Sequence, residues 1–104
     1  MRRPLLILGL LLLAACSDGR RFSPEAWAQE DRFQRQAFTS DLIARRLLIG
    51  KGWGEVQHML GPGRTRGHEV STWDVGLDED TGAPIILQVD FKDGVATHVA
   101  VHRE

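Results

Sequence analysis

STWDVGLDEDTGAPIILQVDFKDGVATHVAV, residues Ser71 to Val101, decides the fold because apolar and polar side chains alternate along it at a period of two. Trp73, Val75 and Leu77 alternate with Thr72, Asp74 and Gly76. Ile85, Leu87, Val89 and Phe91 alternate with Ile86, Gln88 and Asp90, and Val95, Val99 and Val101 alternate with Ala96, His98, Ala100 and His102. Strands with one apolar face are what an antiparallel sheet covered on one side requires. Residues 78–84 (DEDTGAP) and 92–94 (KDG) read as turns, the second a tight hairpin. The stretch therefore predicts a three-stranded antiparallel meander with Trp73 on its covered face.

The cover comes from upstream. In Phe22-Ser23-Pro24-Glu25-Ala26-Trp27, Ser23 suits an N-cap, Pro24 the first helical position and Glu25 the positive helix end. Phe22 and Trp27 stand where a hydrophobic staple would form. Continued at about 100° per residue, Ala26, Phe33, Ala37, Ala44 and Leu48 share one stripe, with Trp27, Phe38, Leu42 and Ile49 beside it and Arg32, Arg35, Thr39 and Arg46 opposite. Asp41 falls inside the apolar arc. Either the helix breaks near Thr39-Ser40, or Asp41 is buried and accepts backbone N–H groups of a neighbouring turn; the high cost of an unpaired buried carboxylate favours the second.

Residues 47–63, LLIGKGWGEVQHMLGPG, place Gly50 as a left-handed cap ending the first helix. Gly61 with Pro62 ends a second, short helix from about Trp53 to Leu60. The glycines lack Walker-loop spacing, so a phosphate cradle is not expected. The fold class is then α+β, with two helices packed on one face of the meander in the order ααβββ.

The first residues are of a different kind. Arg2 and Arg3, an apolar run from Leu5 to Ala15, and the polar Ser17 onward form the basic, hydrophobic and cleavage regions of an export signal. The run is too short to span a bilayer, which takes roughly 20 apolar residues. Its end, Leu13-Ala14-Ala15-Cys16, resembles the lipobox of bacterial lipoproteins. That resemblance implies acylation of the Cys16 sulfur, cleavage before it, and two or three acyl chains, enough to anchor stably where one chain is not. Residues 1–15 are thus read as a signal peptide, 16–21 as the lipidated cysteine with a polar tether, and 22–104 as the folded domain. The covalent lipid on Cys16 is the only expected prosthetic group.

Composition narrows the function. Two of the chain's 13 basic residues lie in the leader, whereas all 14 acidic residues follow it, so no basic face dominates and nucleic acid is not an expected partner. Ser40, Ser71 and four histidines are present without a nucleophile elbow or another catalytic pattern. His98 and His102 share a strand face roughly 13 Å apart, too far to ligate one metal. Asp78-x-Asp80-x-Gly82 lacks the downstream glutamate of a calcium loop and reads as an acidic turn. Neither an enzyme nor a metal site is expected. Trp53, between Gly52 and Gly54, is the candidate anchor for a protein partner, with edge packing as its alternative.

Gly50, Val56, Leu60, Gly61, Trp73, Phe91, Asp93, Gly94 and Val95 together resemble the motifs of the small lipoprotein domain of the SmpA/OmlA (BamE) family: a Gly-x-x-x-x-x-Val-x-x-x-Leu-Gly segment, an aromatic first strand and a final Phe-x-Asp/Asn-Gly hairpin. The likeness spans about residues 38–104. It implies two helices followed by three strands, and a periplasm-facing outer-membrane protein that binds envelope proteins, in a role accessory to outer-membrane protein assembly or envelope integrity. The family's N-terminal tyrosine-proline segment is missing here, and Gly52 replaces the usual Ser or Thr cap of the second helix. Ser17 after the cysteine is similar to outer-membrane lipoproteins. Rival readings are an inhibitor-like or small-ligand module on the sheet's open face, or a hydrolase.

Overall fold

A computed structural model describes residues 19–103. The leader and Cys16 lie outside them. The chain forms helices α1 (Pro24–Gln29), α2 (Gln36–Ala44) and α3 (Trp53–Leu60), a 3-10 turn (Arg32–Gln34), and strands β1 (Arg64–Arg66), β2 (Val70–Leu77), β3 (Pro84–Lys92) and β4 (Val95–Arg103). The strands form one antiparallel sheet in the order β1-β2-β3-β4. The class is α+β, but the sheet has four strands and the helical layer three helices. Among the described residues no helix is long and apolar enough to cross a membrane.

β1 corrects the expected three strands. Arg64, Thr65 and Arg66 are all exposed, so the strand carries no apolar residue for a period-two pattern to register. It pairs with β2 as Arg64↔Thr72 and Arg66↔Val70.

The single long first helix is also corrected, and the break lies upstream of Thr39-Ser40. α1 stops at Gln29, where the N–H of Glu30 bonds back to the Trp27 carbonyl. Asp31 then starts afresh, its carboxylate accepting the Phe33 N–H at 3.1 Å. A short carboxylate that caps a new turn competes with continuing the old helix. Arg35 locks the break by donating from Nε to the Trp27 carbonyl at 2.8 Å.

α2 ends at Ala44, so Gly50 does not cap it. The Arg46 N–H bonds to the Ile43 carbonyl and the Leu47 N–H to the Leu42 carbonyl, the paired bonds of a Schellman motif. Arg46 occupies its left-handed position with φ +53°. Gly50, with φ +87°, instead donates its N–H to the Ala96 carbonyl, laying the α2–α3 connection along the start of β4. α3 has the expected bounds, and Gly61 caps it with φ +82°.

Two irregularities turn the strand pattern. The register shifts between Asp74 and Gly76, which buries both Val75 and Gly76 and leaves Leu77, expected inside, 48% exposed. On β4 the shift at Asp90/Phe91 pairs Phe91 with Ala96 and Asp90 with His98. The extra residue sends Ala96 into the core and Val95 out to solvent. Asp93 and Gly94, both at positive φ, make the two-residue turn between Lys92 and Val95.

The core lies between the helices and the covered sheet face: Phe22, Trp27, Phe38, Leu42, Leu48, Val56 and Leu60 from the helical layer, Trp73, Val75, Leu87, Val89, Phe91 and Ala96 from the sheet. Phe22, Trp27 and Phe38 form an aromatic trio with centroids 5.8–6.3 Å apart.

Candidate functional site

Three parts of the molecule carry polar chemistry that the packing alone does not require: the end of α3, the Asp41 latch, and the open face of the sheet with its Trp53 corner.

At the end of α3, two indoles take up carbonyls that the helix cannot pair itself. Trp27 Nε1–H donates to the Leu60 carbonyl at 2.8 Å, and Trp73 Nε1–H to the Gly61 carbonyl at 3.0 Å. Gln57 adds a bridge: its Oε1 accepts the Gly63 N–H and its Nε2 donates to Ser71 Oγ, both at 3.0 Å. Ser71 is fully buried, so its hydroxyl is a structural acceptor rather than an accessible nucleophile. A methyl group at Gly63 would stand 2.7 Å from the Trp73 ring. This region positions Trp73 and the α3–β1 connection. None of these bonds has a spacing motif that sequence reading could find.

Asp41 is half-buried in α2. Its Oδ2 accepts the Phe22 N–H at 2.8 Å and its Oδ1 accepts Arg45 Nε–H at 2.9 Å, while Arg45 Nη2 also reaches Oδ2 and the Phe22 carbonyl. The Arg45 hydrogen bonds first, and the Phe22 N–H second, lower its pKa to about 2. The segment expected to be a tether is docked on the same helix, one turn earlier. The Arg20 N–H donates to the Ala37 carbonyl at 2.8 Å, and the Arg20 guanidinium lies 4.4 Å from the Phe38 ring centroid.

The sheet's open face carries Arg64, Arg66, Thr72, Asp74, Ile86, Gln88, Asp90, His98 and His102. A shallow groove of about 330 Å³ crosses it, lined by Arg64, Thr65, Arg66, Val70, Thr72, Ile86, Gln88 and His102. Its polar groups are tied in a chain: His102 Nε2 to Gln88 Oε1 at 3.0 Å, and Gln88 Nε2 to Asp90 Oδ1 at 2.9 Å. Arg64 Nη2 bonds Asp74 Oδ1 at 2.7 Å. At the sheet's end, Asp78 Oδ1 accepts the N–H groups of Asp80 and Thr81 and its Oδ2 pairs with Arg103. These bonds hold its pKa below the usual carboxylate range, the backbone ones weighing most.

Trp53 sits at the corner where α3 meets β4. Its N–H donates to the Gly94 carbonyl at 2.8 Å, and its half-buried ring packs partly on the core and edge-on to His68 at 5.2 Å. The indole Nε1 is buried with no hydrogen-bond partner. The flanking glycines do not leave the ring standing free.

The structure thus brings Trp73 and Gly61 into one hydrogen bond, places Gly50 and Trp53 along the start of β4, and keeps Asp41 apart from both. Among the described residues no group of three histidine, cysteine or carboxylate side chains is placed to hold a metal ion. Comparisons with family models, with curated proteins and with solved structures found none that matches this chain.

Proposed function

We propose that the chain is a lipid-anchored, non-catalytic protein-binding module of the bacterial cell envelope, held by an acylated Cys16 to the outer membrane and facing the periplasm. The observation that carries this reading is the leader that ends in Leu13-Ala14-Ala15-Cys16. The docked start of the domain supports it physically. Only Ser17 and Asp18 separate Cys16 from Gly19, and three residue steps reach at most about 11 Å. A lipidated Cys16 would therefore hold the domain at the headgroup layer instead of on a long stalk. The open face and the Trp53 corner are the surfaces it would offer to an envelope protein. A role accessory to outer-membrane protein assembly or envelope integrity is the more specific form of this proposal.

The test is metabolic labelling with a radioactive fatty acid, comparing the parent with Cys16→Ala. The parent should incorporate label, be processed and partition with membranes, and the variant should do none of these. A variant that is processed and membrane-held like the parent overturns the anchor. A second reading, binding of a small anionic ligand on the open face, draws on the groove between Arg64, Arg66 and His102. Arg64→Ala and Arg66→Ala should then abolish that binding without changing membrane partition.

A further inference from the structure

The two edges of the sheet are built differently. β1 is three residues long and carries two exposed arginines, a guarded edge. β4 is nine residues long. Its first residues are covered by the α2–α3 connection, through Gly50 N–H to the Ala96 carbonyl, Ala96 N–H to the Lys51 carbonyl and Trp53 N–H to the Gly94 carbonyl. From Thr97 to Arg103, no strand lies outside β4 among the described residues. That stretch contains no lysine, proline or glycine. Its bulge at Thr97 and its one charged residue, Arg103, stand at the two ends, and from His98 to His102 it has none of the usual devices that stop a strand from pairing.

Its sequence indicates what would pair with it. His98-Val99-Ala100-Val101-His102 reads the same in both directions. We propose that this edge pairs antiparallel with the same edge of a second copy, about a two-fold axis at Ala100, joining two four-stranded sheets into one. Such a contact is isologous, each residue meeting its symmetry counterpart.

In this register His98 faces the second copy's His102, Val99 faces its Val101, and Thr97 faces its Arg103. Val99 and Val101 lie beside Val89 and Leu87 and are only half-buried in one copy; pairing would cover them with valines of matching size. No two formal like charges stand opposite each other. On the open face Asp90 flanks His98 in the register, so each imidazole pair has a carboxylate at its side. The exposed Ile43 and the half-buried Ile49 line a groove with Arg46, Thr97, His98 and Val99, a mixed apolar and basic surface that adjoins the contact at either end. Seven residues make an edge about 23 Å long, which places the contact in the small, reversible class of interfaces. The inference is independent of the lipid anchor.

The test uses the full-length chain carrying Ala100→Cys. Directly opposed residues of an antiparallel pair have Cα atoms about 4.5–5.5 Å apart, inside the range that a disulfide spans. Thr97→Cys is the register control, because two such residues would lie about 20 Å apart, and the parent gives the background due to Cys16. Under mild oxidation Ala100→Cys should give several-fold more covalent dimer than either. Sedimentation of the parent in detergent should show a concentration-dependent dimer, and Ala100→Lys, with its fold checked by circular dichroism, should abolish it. Equal cross-linking of Ala100→Cys and Thr97→Cys, or a parent that stays monomeric at all concentrations, overturns the proposal. So does an edge occupied by a different protein's strand. If Ala100→Lys does not fold, the cysteine pair decides alone.

Discussion

The sheet and the helical layer are held together by different means. In the sheet, side chains on one face of β2, β3 and β4 bury one another in register, and loss of any one contact leaves its neighbours in place. The helical layer is short-jointed, with a six-residue α1, a 3-10 turn and a nine-residue α2. Its joints are fixed by single polar bonds from distant residues: Trp27 to Leu60, Phe22 to Asp41 and Arg35 to Trp27. One half is robust through redundancy, and the other depends on particular donors and acceptors.

The largest expected effect belongs to the residue on which both halves rest. Trp73→Ala removes a buried ring and the donor to Gly61, and should destabilise the domain by roughly 3–5 kcal/mol in urea unfolding. An unchanged midpoint would mean that the sheet does not carry the helical layer. A finer cut is Trp27→Phe, which keeps an aromatic ring in the trio but leaves the buried Leu60 carbonyl unpaired. A loss of about 1–3 kcal/mol is expected, with amide exchange accelerated in α1 and not in β3. Uniform acceleration across both would erase the contrast between the halves.

Acid should act on the helical layer through Asp41. Its folded pKa, about 2, lies below the ordinary aspartate value of about 3.9, so the carboxylate contributes stability above pH about 4 that is lost as pH falls toward 2. Asp41→Asn keeps an acceptor for the Phe22 N–H but cannot titrate, and should flatten the acid limb of the stability curve over that window. Asp78, which is also depressed, contributes a slope of the same sign that the variant keeps. A variant whose acid limb matches the parent's would remove Asp41 from this role. The smallest effect is a gain. Arg46→Gly relieves a left-handed backbone at the end of α2 and should raise stability by about 1 kcal/mol, measured as a higher Tm.

The same contrast explains what the sequence made legible. Strand alternation is local, so β2, β3 and β4 could be read from residues 70–103, as could α3 between Gly52 and Gly61. Errors within the sheet occurred at its two bulges, where a single extra residue put Leu77 and Val95 outside and Ala96 inside. β1 carried no apolar signal at all. In the helical layer, the break after Gln29 follows from Asp31 acting as a fresh cap, a signal visible in the sequence but outweighed by the long apolar stripe. Asp41 was expected to be buried among backbone N–H groups of a neighbouring turn, but it is half-buried, accepts one such N–H, from Phe22, and is held mainly by Arg45, one turn along its own helix. The indole bonds to Leu60 and Gly61 and the Gln57 bridge join residues that only the finished fold brings together. On the open face, the shared placement of His98 and His102 was readable, but their neighbours Gln88 and Asp90 became apparent only with the strand register.

The bond from Trp27 to Leu60 also sets an order in time. It closes a loop of 33 residues, whereas the Asp93-Gly94 turn brings Lys92 against Val95 almost at once. Loop closure is entropically dearer the longer the loop, and hairpins form within microseconds. Pulse-labelled amide exchange during refolding should therefore find β3 and β4 protected before α1. On a ribosome the direction of synthesis sets a different order: Trp27 emerges first and has nothing to hold until Leu60 follows it, yet Leu60 is made before either Lys92 or Val95, so the two routes to the same fold begin at opposite ends of the domain.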